Sequence, residues 1–185
     1  MSGLKNTKAE FGWLSIGFHW VLAIALIAMY FVGDYMVGLG YYDTWYHRAP
    51  QIHKEVGVVI GVLMVLRLLW NMLQTKPEHI GDDKPIVKSI AKATHYIFYA
   101  LVFLLVISGY LISTAKGAGI DIFGLFELPA LLPDNKDRGE LAGDIHEWVG
   151  LGFILLVALH ALAALMHHFI YKDRTLKRML GMKKD

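Results

Sequence analysis

Residues 146–160 read His-Glu-Trp-Val-Gly-Leu-Gly-Phe-Ile-Leu-Leu-Val-Ala-Leu-His, a largely apolar run closed by a histidine at each end. From Trp148 to Tyr171 the chain runs 24 residues without Asp, Glu, Lys or Arg. A helix of roughly 20 such residues crosses the hydrocarbon core of a bilayer. Three other stretches share this character. Phe11–Gly33 and Ala93–Ala115 are 23 residues each and free of those charges, and Ile52–Leu73 carries Arg67 in its interior. The expectation is an all-α, integral membrane four-helix bundle, one domain over residues 1–185, with spans at 11–33, 52–73, 93–115 and 148–171. Strands would span in far fewer residues. Trp13, Trp45, Trp70 and Trp148 fall near the proposed ends, as interfacial tryptophans do.

Composition narrows the function classes. The chain is 56% hydrophobic and 18% charged, whereas soluble domains average about 45–50% and 25%. It has no cysteine, which removes disulfides and thiolate-held zinc or iron–sulfur centres. A net charge of +2 is too small for nucleic-acid binding.

Lysine and arginine set the orientation. The N-terminal segment, the connection between the second and third spans, and the tail together hold twelve, against five on the other side (Arg48, Lys54, Lys116, Lys136 and Arg138). The positive-inside rule places both termini in the cytoplasm. The opposite side carries ten acids, from Asp34 to Glu147. A cleaved signal peptide is not expected, because the first apolar stretch is too long. The long connection Lys116–Gly143, with Phe123, Phe126, Leu131 and Leu132, reads as a segment lying on the outer membrane surface, in contact with lipid.

Nine histidines are many for such a chain, and an ionisable residue within a span is a functional hypothesis by default. His47 and His79 read as solvated loop residues. His146 and His160 are fourteen residues apart, which returns to within about 40° of the same helix face after a rise of about 21 Å. Depth then pairs His53 with His146 and His19 with His160. Neither level offers a zinc ligand set. A facing pair of imidazoles suits haem iron, whose porphyrin supplies the other four ligands. Four residues past these histidines stand Ala23, Gly57, Gly150 and Ala164, all small enough to clear a flat group. Arg67 follows His53 by fourteen residues and lies at the inner level, where a haem propionate would partner a buried guanidinium; snorkelling to the interface is the alternative. His95, on the third helix at the inner level, stands either as a propionate or quinone partner or as a replacement inner ligand. His167 and Trp13 share that inner, polar end.

Together these motifs carry a resemblance. Ser15-Ile-Gly-Phe-His19-Trp20, His53-Lys-Glu-Val-Gly57, His146-Glu-Trp-Val-Gly150 through His160 to His167-His168, and the closing Lys172-Asp173-Arg174-Thr175-Leu176 resemble the bacterial cytochrome b561 family over essentially the whole chain. The resemblance implies a four-helix cytochrome of the bacterial inner membrane with two haem b groups. It also implies an oxidoreductase that moves electrons between a periplasmic donor and the quinone pool, with superoxide oxidation coupled to ubiquinone reduction as one form. The acidic excess outside opposes steering of an anion such as superoxide. The alternative is therefore a membrane-anchored relay that docks a periplasmic redox protein. A transporter is disfavoured by the lack of an internal repeat.

Overall fold

A computed structural model describes residues 3–78 and 85–182; His79, Lys84, Lys183 and Lys184 lie outside the described residues. Four long helices dominate: α1 Trp13–Val37, α2 Arg48–Leu73, α3 Pro85–Ser113 and α4 Lys136–Phe169. Each is long and apolar enough to cross a membrane. A short helix, α5, covers Thr175–Met179.

Local chemistry sets the ends. α1 stops where Gly38 and Gly40 follow, and the Asp43 carboxylate accepts from the Gly40 N–H at 2.6 Å. Pro85 opens α3, a first-turn position whose N–H would have no helical partner anyway. Asn135 caps α4 by accepting from the Arg138 N–H at 2.8 Å, and Asp137 sits in the first turn, where a negative charge suits the helix dipole. α4 therefore begins at Lys136, and the connection expected to run to Gly143 ends sooner. Its first two turns are polar, so an apolar run could not reveal them.

The fold is mostly helical rather than wholly so. Within that connection, β1 (Ile120–Ile122) pairs antiparallel with β2 (Phe126–Leu128). The reversal uses Phe123 at φ 52° and Gly124 at φ 69°, and the Leu125 N–H closes it on the Ile122 carbonyl at 2.9 Å. Ile120 and Ile122 are buried, while the Gln51 amide donates to the Asp121 carbonyl at 3.2 Å. Glu55, itself buried, accepts from the Gln51 amide at 2.8 Å and from the Phe123 N–H at 3.4 Å. One of the ten acids counted on that side of the chain thus holds the hairpin to α2.

The chain divides into two compact units, each drawing a segment from all four long helices. The first comprises Met1–Ile24, Leu63–Phe98 and Leu155–Asp185; the second comprises Ala25–Val62 and Tyr99–Ile154. In the first, Leu22 is fully buried and Ile16 and Met64 nearly so. There the Trp70 indole donates to Ser15, Ser15 donates to Asn6, and the Trp20 indole donates to the Met179 carbonyl at 2.7 Å. Arg178 pairs with Glu10 and donates to the Glu78 carbonyl, and burial lowers its pKa. In the second unit, Val102, Ile60 and Phe153 form the core. A Cβ at Gly61 would come within 2.9 Å of Val106, so a glycine is what lets α2 and α3 approach there. Most large apolar side chains on the long helices remain exposed, the arrangement a lipid solvent requires.

Candidate functional site: two histidine pairs

In the second unit α2 carries His53 and α4 carries His146, with ring centres 6.1 Å apart and planes at 72°. The Ser108 hydroxyl fixes the state of His146. Its single proton goes to the Leu104 carbonyl at 2.7 Å, so its oxygen accepts from His146 Nδ1–H at 2.9 Å. That bond places the ring proton on Nδ1 and leaves the Nε2 lone pair free for a metal. His53 Nδ1 is buried with no hydrogen-bond partner among the described residues. Two glycines let these rings sit against neighbouring helices. A Cβ at Gly33 of α1 would fall 3.3 Å from His53 Cε1, and one at Gly109 of α3 would fall 3.3 Å from His146 Cε1.

The first unit brings together three histidines. His19 on α1 lies with its ring centre 6.4 Å from that of His160 on α4, at 65°. His95 on α3 stands 5.9 Å from the same ring, at 85°. Its Nδ1 donates to the Ala91 carbonyl at 2.6 Å, so His95 also presents a free Nε2. Trp20 and Phe98 pack edge-on against His19 and His160 respectively. Arg67 reaches in from α2, its Nη2 3.3 Å from His19 Nδ1. The residues read from spacing as belonging to the inner level, His19, Arg67, His95 and His160, therefore share one unit.

Two imidazoles on one metal, each with a metal–nitrogen bond of about 2 Å, hold their ring centres roughly 6 Å apart. The spacings fit that requirement in both units. Among the described residues no group of three or more His, Asp or Glu side chains could hold a bare metal ion. The donor sets thus fit a group that brings its own remaining ligands, as a porphyrin does.

Other expectations separate from these pairs. His167 is bound to Asp173 at 2.5 Å, and Trp13 lies against Gly181. Burial alone would raise the Asp173 pKa, but hydrogen bonds from the Thr175 N–H and from His167 lower it overall. His47 joins Tyr41 and Tyr46 in an aromatic cluster. Beside it, a cleft of about 600 Å³ is lined by Met36, Tyr46, His47, Pro50, Gln51 and Lys54. At Gly57 and Gly150 an added Cβ would meet nothing nearer than 3.7 Å among the described residues, and the glycines that lie against the rings themselves are Gly33 and Gly109. Sequence reasoning missed these two and Ser108. A signal existed: Gly33 follows His19, and Gly109 follows His95, by the same fourteen residues that join His53 to Arg67 and His146 to His160.

Known proteins bear on this geometry. Residues 10–182 match the family model described as prokaryotic cytochrome b561. The chain is 43% identical to "Cytochrome b561 homolog 2" of Escherichia coli (strain K12) over 176 residues, covering 95% of this chain and 94% of that protein. It is 31% identical to "Probable superoxide oxidase CybB" of Yersinia pestis, covering 95% and 98%. To "Cytochrome b561 homolog 1" of Escherichia coli (strain K12) it is 28% identical over the full length of both.

Proposed function

The chain belongs to the prokaryotic cytochrome b561 family, transmembrane haem b proteins of electron transport, and from that premise we propose that it is a di-haem electron carrier of the bacterial inner membrane. His53 and His146 hold one haem b, and His19 and His160 hold the other. The observation that carries this reading is the pair of ring spacings, 6.1 and 6.4 Å, on two levels of one helix, α4. A haem b held by two imidazoles would supply one-electron chemistry.

The chain's own residues do the rest. Ser108 keeps the His146 proton on Nδ1, so that Nε2 retains the lone pair a metal would need. Arg67 can only donate, and a His19 ring bound through Nε2 carries its proton on Nδ1. A haem propionate would offer the guanidinium an acceptor. The hairpin held by Gln51 and Glu55 belongs to the unit of His53 and His146. Lys54, next to His53, lines the cleft through which a small donor would approach. Both termini lie in the cytoplasm in this reading, electrons enter at the periplasmic pair, and ubiquinone accepts them at the other. The resemblance to a protein named as a superoxide oxidase supports superoxide as a donor.

A second reading has one specific observation in its favour. Ten acids against five basic residues on the periplasmic side favour docking of a basic redox protein. The test of the main reading is a reduced-minus-oxidised spectrum with a haem-to-protein ratio. Two haem b per chain are expected; a chain without haem sinks both readings.

A further inference from the structure

The two histidines of the second unit are held unequally. A neutral imidazole that gives Nε2 to a metal carries its proton on Nδ1, and that N–H then needs an acceptor. His146 has one: the Ser108 oxygen lies 2.9 Å from its Nδ1, while the Ser108 proton goes to the Leu104 carbonyl at 2.7 Å. His53 Nδ1 is buried and has none among the described residues. What lies along that side of its ring is Gly33 of α1, where an added Cβ would stand 3.3 Å from Cε1 and 3.9 Å from Nδ1. Binding a metal through Nε2 therefore keeps a hydrogen bond at His146 and strands a buried donor at His53, a state that protein interiors avoid.

The difference falls inside one pair of one unit, so it sets an order between two bonds to the same metal. Histidine ligands deprived of such a partner bind roughly 10- to 100-fold more weakly. The turn of α2 that carries His53 also borders open space, since Pro50, Gln51 and Lys54 line the cleft of about 600 Å³. Resting on the di-haem reading above, we infer that His146 retains the haem of this pair, that His53 is its displaceable ligand, and that the centre takes a small uncharged diatomic molecule on the His53 side. The exchange breaks the bond from His53 Nε2 to iron and forms one from the incoming molecule. Each bond is a lone pair given to the metal, so no electron is gained or lost, and the released imidazole keeps its proton on Nδ1. An uncharged ligand suits a site among apolar helices, where a charged one would forfeit its hydration.

The test uses the purified full-length protein, with the haem-to-protein ratio and spin state read from its spectra and carbon monoxide added to chemically reduced samples. Wild type should convert one of its two haems to the carbon monoxide form. His53→Ala should keep both haems, one of them now high-spin, and bind carbon monoxide more tightly than wild type because the competing imidazole is gone. His146→Ala should lose that haem and with it the carbon monoxide spectrum. Loss of the haem from His53→Ala with its retention by His146→Ala reverses the order and overturns the inference. If His53→Ala does not fold, the other two samples decide: wild type with two haems and no carbon monoxide spectrum, or a spectrum that persists in His146→Ala, overturns the inference and leaves the di-haem reading intact. Absence of haem from wild type removes the di-haem reading and this inference together.

Discussion

Ser108 Oγ lies 2.9 Å from His146 Nδ1 while its proton serves the Leu104 carbonyl, so one hydroxyl on α3 fixes the tautomer of an imidazole on α4. Metal-binding histidines depend on such partners, whose loss weakens metal affinity by roughly 10- to 100-fold. Ser108→Ala should therefore weaken retention of one haem by about that factor and leave the other unaffected. Haem-to-protein ratios after dilution or competition with apo-globin would read this; equal loss of both haems, or of neither, would contradict it.

His19 and His95 both stand beside His160, at 6.4 and 5.9 Å. If His19 is the ligand, His19→Ala abolishes one haem and His95→Ala keeps both. His95→Ala retaining one haem, with His19→Ala retaining two, would transfer the role to α3. The α-band of the purified variants decides between them.

Gly109 tests the fit of the His146 ring. An added Cβ would already lie 3.3 Å from Cε1, so Gly109→Leu has nowhere to place its branch without displacing the ring. Loss of the haem assigned to His146 is expected, whereas Gly143→Leu, where nothing among the described residues lies within 4 Å of the added Cβ, should keep it. Overpacking of this kind costs about 1–3 kcal/mol, which a lowered Tm would register.

Asp173 carries the pH dependence of the C-terminal segment. Burial pushes its carboxyl up, but the Thr175 N–H and His167 bring it below the usual range. A folded-state pKa below the unfolded value means the stabilisation is complete above the unfolded pKa of about 3.9 and is lost as pH falls through the folded value. Protease sensitivity of residues 170–182 should rise below about pH 4. In Asp173→Asn that step should vanish, the segment being more sensitive at neutral pH. An unchanged acid profile would refute the role.

In the proposed orientation the acidic excess faces the periplasm, which predicts the behaviour of a protein donor. Its rate of reducing the haem should fall steeply as salt rises from about 10 to 150 mM, because the Debye length contracts from about 30 to 8 Å. A flat profile, with fast reduction by superoxide, would favour the small donor.

Much of the architecture was legible in the chain itself. Apolar runs of 23 and 24 residues specify membrane-crossing helices because every backbone polar group must be satisfied inside lipid. Fourteen-residue spacing puts His146 and His160 on one face because helix geometry is local and fixed. The polar opening of α4 and the hairpin at 120–128 were not legible, since neither is apolar enough or long enough to stand out from a loop.

Contacts between helices belonged to the tertiary structure. Helix rise placed His19, His95 and Arg67 at a common level, but rise says nothing about which faces meet. The approach of Arg67 to His19, the hydroxyl of Ser108 at His146, and the glycines under two rings all depend on how the helices are rotated about their own axes. That rotation is set by packing among side chains distant in sequence, such as Gly61 against Val106. The sequence by itself determined the helices and the histidine spacing; packing decided which atoms stand beside each ring.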